Sequence, residues 1–261
     1  MNFGWNSETM ENGNTIRWIH LPKVDSTNSY LRQMTDDGTS DITVAYTDDQ
    51  YAGRGQKGNS WECEPGKNLS FSILLHPLFV KPAEQFIISQ TMALAVVNVL
   101  NGLDDTGKKL FTVKWPNDIY YDDWKISGTL IECDLQGKHI ANCIIGTGLN
   151  VNQQEFLSDA PNPTSLIRIF GHEFSREQLL HSIVDDFCRR YAMIEDGQAD
   201  AIRAAYRSLL FRRQGLHPYE DASGPFMAEI QDIEPSGHLI LRTADGQIRR
   251  YEFKEVKFLT D

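Results

Sequence analysis

The chain is short of paired cysteines, of positive charge and of unbroken apolar length. Its four cysteines, Cys63, Cys133, Cys143 and Cys188, have no paired spacing. That pattern argues against a disulfide framework or a zinc site and reads as idle thiols. A formal net charge of −11 argues against broad nucleic-acid binding, which needs a basic face. No apolar run is read as long enough to cross a bilayer. No basic segment followed by an apolar one marks a signal peptide. The expectation is a cytoplasmic chain with neither a membrane nor DNA as partner. Internal repeats and low-complexity stretches are absent from the sequence.

What is there is 261 residues with a hydrophobic fraction of 41%, which suits one large core and a small appendage. Residues 1–14 are polar and read as a loose leader. Alternation predicts strands at 15–22, 42–46 and 68–76, and Asp25-Ser26-Thr27-Asn28 offers helix caps before Tyr30 and Leu31. Residues 82–103 are apolar nearly all round and predict a buried helix. Strands follow at 110–115, 119–121, 126–135 and 139–148, with Gly137 turning the last two into a hairpin. Amphipathic helices are expected at 176–194 and 198–211. Near Gln214-Gly215 the composition shifts to short β-type runs at 226–233, 239–243 and 247–253, separated by glycine turns. The expected division is 1–213 as the main domain and 214–261 as a small barrel.

Gly53-Arg54-Gly55-Gln56-Lys57-Gly58-Asn59-Ser60-Trp61 is the most informative segment. Glycines admit a ligand close to the backbone, and Arg and Lys match phosphate or carboxylate oxygens. Such a loop suits a lid that closes over an anionic ligand. Gly53, Gly55 and Gly58 also satisfy a dinucleotide-binding spacing, but turn-forming Glu64-Pro65-Gly66 follows, and no acid lies where that motif needs one. A P-loop would need lysine where Asn59 stands. A plain glycine-rich turn is the third alternative.

Two further constellations lie downstream. Lys114-Trp115-Pro116-Asn117-Asp118 ends a strand in a polar turn, and Lys125-Ile126-Ser127-Gly128-Thr129-Leu130-Ile131-Glu132 begins another with a lysine. Gly146-Thr147-Gly148-Leu149-Asn150 closes a strand with glycines that permit close approach. Taken singly, each also fits an ordinary turn or a solvated side chain.

In this order, together with Ser26-Thr27-Asn28, these segments resemble the catalytic domain of a biotin–protein ligase over about residues 15–200. The C-terminal β segment resembles the small SH3-like barrel such ligases carry. The resemblance implies an α+β fold: a mixed sheet flanked by helices, as in class II synthetases. It implies an enzyme that joins biotin to ATP as biotinyl-5′-AMP with Mg²⁺. The biotinyl group then passes to a lysine of an apo biotin carboxyl carrier protein. By resemblance, Ser26, Thr27, Asn28, Gln50, Gly53, Arg54, Gly55, Lys125 and Gly128 would bind biotin. Arg54, Gln56, Lys57, Trp61, Asn117, Asp118, Lys125 and Asn150 would bind ATP, with Asp118 near the Mg²⁺. Lys125 would be the principal catalytic residue, with Arg54 and Asp118 beside it.

Many relatives carry arginine where Gln56 stands and a further basic residue where Asn59 stands. Only residues 1–14 precede the first expected strand, too few for a helix-turn-helix, so a repressor role is not expected. A lipoate or octanoate ligase and a non-catalytic biotin-binding module are the alternatives. Monomer and homodimer are both open.

Overall fold

The computed structural model describes residues 5–9, 15–34, 40–104, 110–158 and 161–259. Part of the expected loose leader is a strand: β1 (Trp5–Thr9) pairs antiparallel with β2 (Thr15–Val24). Its polar sequence hides it, because edge pairing needs backbone groups rather than an apolar face. The rest of that expected leader, 1–4 and 10–14, lies outside the described residues. Next come α1 (Thr27–Gln33), β3 (Ile42–Gln50) and β4 (Leu69–Leu75). Ser26 stands at the N-cap of α1 but makes no side-chain cap bond.

Helix α2 (Phe86–Asn101) follows a 3-10 turn at Pro82–Glu84. Contrary to the reading of apolar length, Pro82–Asn101 is a 20-residue helical stretch long and apolar enough to cross a bilayer. About two-thirds of its most apolar stretch (67%) is buried inside the protein, as in a core helix. Strands β5 (Phe111–Lys114), β6 (Asp118–Tyr121), β7 (Trp124–Gln136) and β8 (His139–Leu149) occupy the expected places. Helices α3 (Leu166–Phe170), α4 (Arg176–Glu195) and α5 (Ala199–Ser208) complete this part.

The chain divides into two compact units, 1–82 with 121–184 and 83–120 with 185–261. In the first, the strands run in the order β1-β2-β3-β4-β8-β7. The β2–β3 pair is parallel and its neighbours are antiparallel, so the sheet is mixed. Leu31 of α1 packs with Ile19, Leu21, Ala45, Leu74 and Ile144, which fixes α1 on one sheet face. In β4 all seven residues are buried, as a central strand covered on both faces requires.

In the second unit α2 carries the core, with Ile88, Met92, Ala95 and Val96 fully buried. The Tyr206 hydroxyl of α5 donates to the Pro116 carbonyl at 2.8 Å. The C-terminal segment is a five-stranded antiparallel sheet in the order β12-β11-β10-β9-β13. Its strands are β9 (His217–Asp221), β10 (Gly224–Ile233), β11 (Leu239–Thr243), β12 (Ile248–Tyr251) and β13 (Lys257–Phe258). The first and last were not anticipated. Pro218 and the acids around Tyr219 blur the alternation of β9, although Tyr219 itself is fully buried.

The cysteines are free thiols. Sequence spacing misses that Cys133 and Cys143 face each other across β7 and β8, with Sγ atoms 3.2 Å apart. Burial pushes the Cys188 thiol up to about 12, which suits an idle core residue.

Candidate active site

Register lays out the site in the first unit. One row across β3, β4, β8 and β7 is Ala45, Ser72, Gly146 and Leu130. The next is Thr47, Ser70, Gly148 and Gly128. Both rows lie on the face that carries α1, since side chains two apart in a strand share a face. Apart from Leu130, the result is a floor of small residues.

The chain's own side chains use that room. A Cβ on Gly146 would stand 2.0 Å from Asn28 Oδ1, and one on Gly148 would stand 2.3 Å from the Trp61 indole. The Gly146-x-Gly148 pattern does mark a close approach, made here by Asn28 and Trp61.

At the start of α1, Thr27, Asn28 and Ser26 are all buried. Gln50, the last residue of β3, receives the Thr27 N–H on its Oε1 at 3.0 Å. Thr27 Oγ1 lies 2.6 Å from Ser72 Oγ, and Ser72 donates to Asn28 Oδ1 at 2.5 Å. Asn28 Nδ2 donates to Glu132 Oε2 at 2.8 Å. Buried polar groups are thus joined in one chain of partners, which fixes their orientation.

The glycine loop is a short hairpin-like turn. Arg54 bridges Ser60, the Gly55 N–H donates to the Asn59 carbonyl at 2.6 Å, and the Trp61 N–H donates to the Gly53 carbonyl at 2.9 Å. A 3-10 turn at Gln56–Gly58 sits inside it, and Gly58 has φ +88°, where glycine is strongly favoured. No α-helix opens there, in keeping with the rejection of the dinucleotide and P-loop readings. A Cβ on Gly53 would meet the Trp61 carbonyl at 2.6 Å and Gln50 Nε2 at 2.9 Å. Arg54 reaches down to Glu132 of β7, with Nη2 at 3.1 Å from Oε2 and Nη1 at 3.5 Å from Oε1. Gln56 is half-buried, and the Lys57 side chain lies outside the described residues.

Lys125 sits near the start of β7, where its backbone is clamped. Its N–H donates to the Asn162 carbonyl at 2.7 Å, and its carbonyl accepts from Thr164 at 2.9 Å. Its Nζ stands 5.8 Å from the Trp61 ring centroid, within cation–π reach. Asn150 is buried and braces this corner: its backbone N–H donates to the Ile126 carbonyl and its Nδ2 to the Thr164 carbonyl, each at 2.9 Å. The Trp61 Nε1 is buried and has no hydrogen-bond partner among the described residues. A buried donor of that kind suits a ligand acceptor.

Asn117 and Asp118 belong to the second unit, at the turn between β5 and β6, with Asn117 buried. In the same unit Lys114 Nζ donates to the Tyr120 hydroxyl at 3.1 Å and lies over the Phe258 ring. Among the described residues no three His, Cys, Asp or Glu converge to hold a metal ion.

Glu62, next to the indole, accepts from the Leu157 and Ser158 N–H groups at 2.9 and 2.8 Å and from Gln153 at 3.0 Å. Burial pushes its carboxyl up. Bonds from the Ser158 side chain, the Leu157 and Ser158 N–H groups and Gln153 outweigh that and hold it below the ordinary glutamate range.

The sequence reading did not single out Ser72, Arg32 or the role of Glu132. Arg32 Nη2 lies 3.2 Å from Glu132 Oε1, so two guanidiniums and an amide meet one carboxylate. Only cross-strand register and the placement of α1 bring these groups together.

The chain is 27% identical over 233 residues to the bifunctional ligase/repressor BirA of Bacillus spizizenii, covering 87% of this chain and 70% of the relative. It is 27% identical over 237 residues to the biotin–[acetyl-CoA-carboxylase] ligase of Paracoccus denitrificans, covering 87% of this chain and 95% of the relative. Its fold is that of the biotin protein ligase of Aquifex aeolicus, solved in complex with biotin and ATP. That match has a TM-score of 0.75 at 24% identity and covers 94% of this chain and 99% of that one. Residues 21–150 match the Biotin/lipoate A/B protein ligase family, and the chain belongs to that family.

Proposed function

We propose that this chain is an ATP-dependent biotin–protein ligase. Biotin's carboxylate attacks the α-phosphorus of ATP, forming biotinyl-5′-AMP and releasing pyrophosphate. A lysine ε-amine of a biotin carboxyl carrier domain then attacks the acyl carbon, and AMP leaves. The relatives' activities and the family membership support both half-reactions.

The observation that carries the reading is the small-residue floor with a polar chain along it and cations above it. Gln50, Thr27 and Asn28 suit the ureido ring, where a few polar groups set orientation in an otherwise apolar slot. Ser26, Gly53, Gly55 and Gly128 border the same slot in this reading. Lys125 supplies the charge the chemistry needs. A carboxylate approaching a phosphate brings two anions together, and a fixed ammonium offsets their repulsion. The indole of Trp61, with its buried donor, serves the adenylate, with Gln56, Lys57 and Asn150 assigned beside it. Arg54 closes the lid.

Magnesium enters with ATP, as part of the nucleotide substrate. One or two carboxylates plus substrate phosphates are its usual protein-side complement. For Asn117 and Asp118 a role toward ATP and Mg²⁺ is the assignment the resemblance carries. The same proposal divides the chain into a catalytic region, 1–213, and a barrel region, 214–261, and places the enzyme in the cytoplasm. The direct test is incubation with ATP, biotin and an apo carrier domain, followed by mass spectrometry. One biotinyl group on one carrier lysine is expected, and an unmodified carrier contradicts the transfer step.

A further inference from the structure

Glu132 is the one carboxylate in the described part of the site that joins the lid to the polar end of the slot. Its Oε2 receives Arg54 at 3.1 Å and Asn28 at 2.8 Å, and its Oε1 lies 3.2 Å from Arg32. The Glu132 side chain is 20% exposed and that of Arg54 is 45% exposed. A pair at such a boundary is weak alone, but a shared carboxylate in a hydrogen-bonded network holds its partners better than an isolated surface pair. Ser72 holds the other end of Asn28, and the amide lies so close over Gly146 that a Cβ there would stand 2.0 Å from its oxygen.

We infer that Glu132 is a positioning residue for biotin adenylation. It pins Arg54, and with it the Gly53–Trp61 loop, over the sheet, while it orients the Asn28 amide at the slot. Lid closure and the shape of the slot are thereby set by one side chain. The inference rests on the ligase reading for its kinetic consequences, but the pinning itself can be measured without any substrate.

The lid has few other anchors to the sheet. Gln56 is uncharged, so among the described side chains of the loop Arg54 is the cation available to hold it. Ordering a glycine-rich loop costs conformational entropy, and removing its charged anchor raises the population of open forms. The pairing therefore favours the closed lid. If Glu132 instead held Arg54 away from its ligand, its removal would improve binding.

The test uses Glu132→Gln, which keeps the shape and removes the charge. In the ligand-free protein, amide exchange of residues 52–61 should quicken by about fivefold, the effect of losing a modest ion pair. The biotin KM should rise by a similar factor, with kcat for pyrophosphate release little changed. Free adenylate should escape and label bystander lysines. Added to Arg54→Gly, the change should have no further effect on leakage, because Glu132 acts through Arg54. Unchanged exchange of the loop in Glu132→Gln overturns the pinning. A lowered KM, or leakage that multiplies in the double variant, overturns the positioning role. Faster loop exchange in Glu132→Gln, together with no pyrophosphate release from wild-type protein with biotin, counts against the ligase reading and leaves the pinning intact.

Discussion

Asn28 lies over Gly146 so closely that a Cβ on the glycine would stand 2.0 Å from the amide oxygen. Asn28 is held from both sides, by Ser72 and by Glu132, so it has no cheap retreat. Gly146→Ala should therefore cost about 1–3 kcal/mol of folding stability, the usual range for overpacking. It should also weaken biotin binding, because the displaced amide is part of the polar set. Urea denaturation and calorimetric titration with biotin check the two effects, and wild-type values in both would show that Asn28 is not confined as described.

Lys125→Ala should leave biotin binding in place and remove adenylation. In the proposed role its ammonium acts on charge that develops between carboxylate and α-phosphate, so the loss belongs in the barrier, at about 2–4 kcal/mol. The measurement is the single-turnover rate of pyrophosphate release at saturating biotin and ATP. Near-normal turnover would remove Lys125 from the mechanism.

Arg54→Gly should turn the enzyme into a source of diffusible adenylate. Without the guanidinium, nothing described in the loop replaces its pair of contacts to Glu132. The readout is biotinylation of an added bystander protein alongside the carrier. Label confined to the carrier lysine would argue against a retaining lid.

The clamp at Glu62 should be sensitive to acid. Its folded pKa is depressed, so its stabilising contribution is fully present above the ordinary glutamate range. That contribution is lost as the pH falls through the lowered folded value. Acid should loosen the 155–158 turn ahead of global unfolding, seen as faster amide exchange at Leu157 and Ser158. In Glu62→Gln the turn should exchange fast at neutral pH and show little further acid dependence. Identical pH profiles in the two proteins would dismiss the clamp.

Much of this was legible in the sequence where signals are local. Alternation placed most strands within a few residues, and the glycine loop, Lys125 and the Gly146-x-Gly148 strand exit each stood out by their residue types. Strand β1 was not legible, since the polar Trp-Asn-Ser-Glu-Thr offers no apolar alternation and its register with β2 is set by backbone pairing. Nor was β9, where Pro218 interrupts the pattern. Glu132 is a different case. It stands seven residues after Lys125 as one acid among 36 acidic residues. Its meaning comes from Asn28, 104 residues away, and Arg54, 78 away. Contacts of that range depend on register and helix placement, which a single sequence does not encode locally. The facing pair Cys133 and Cys143 escaped for the same reason.

The most direct measurement is pyrophosphate release by the wild-type protein with ATP and either biotin or lipoate. The account predicts release with biotin and none above background with lipoate, with the biotin signal abolished by Lys125→Ala. Release with lipoate alone, or biotin binding with no release, would contradict it.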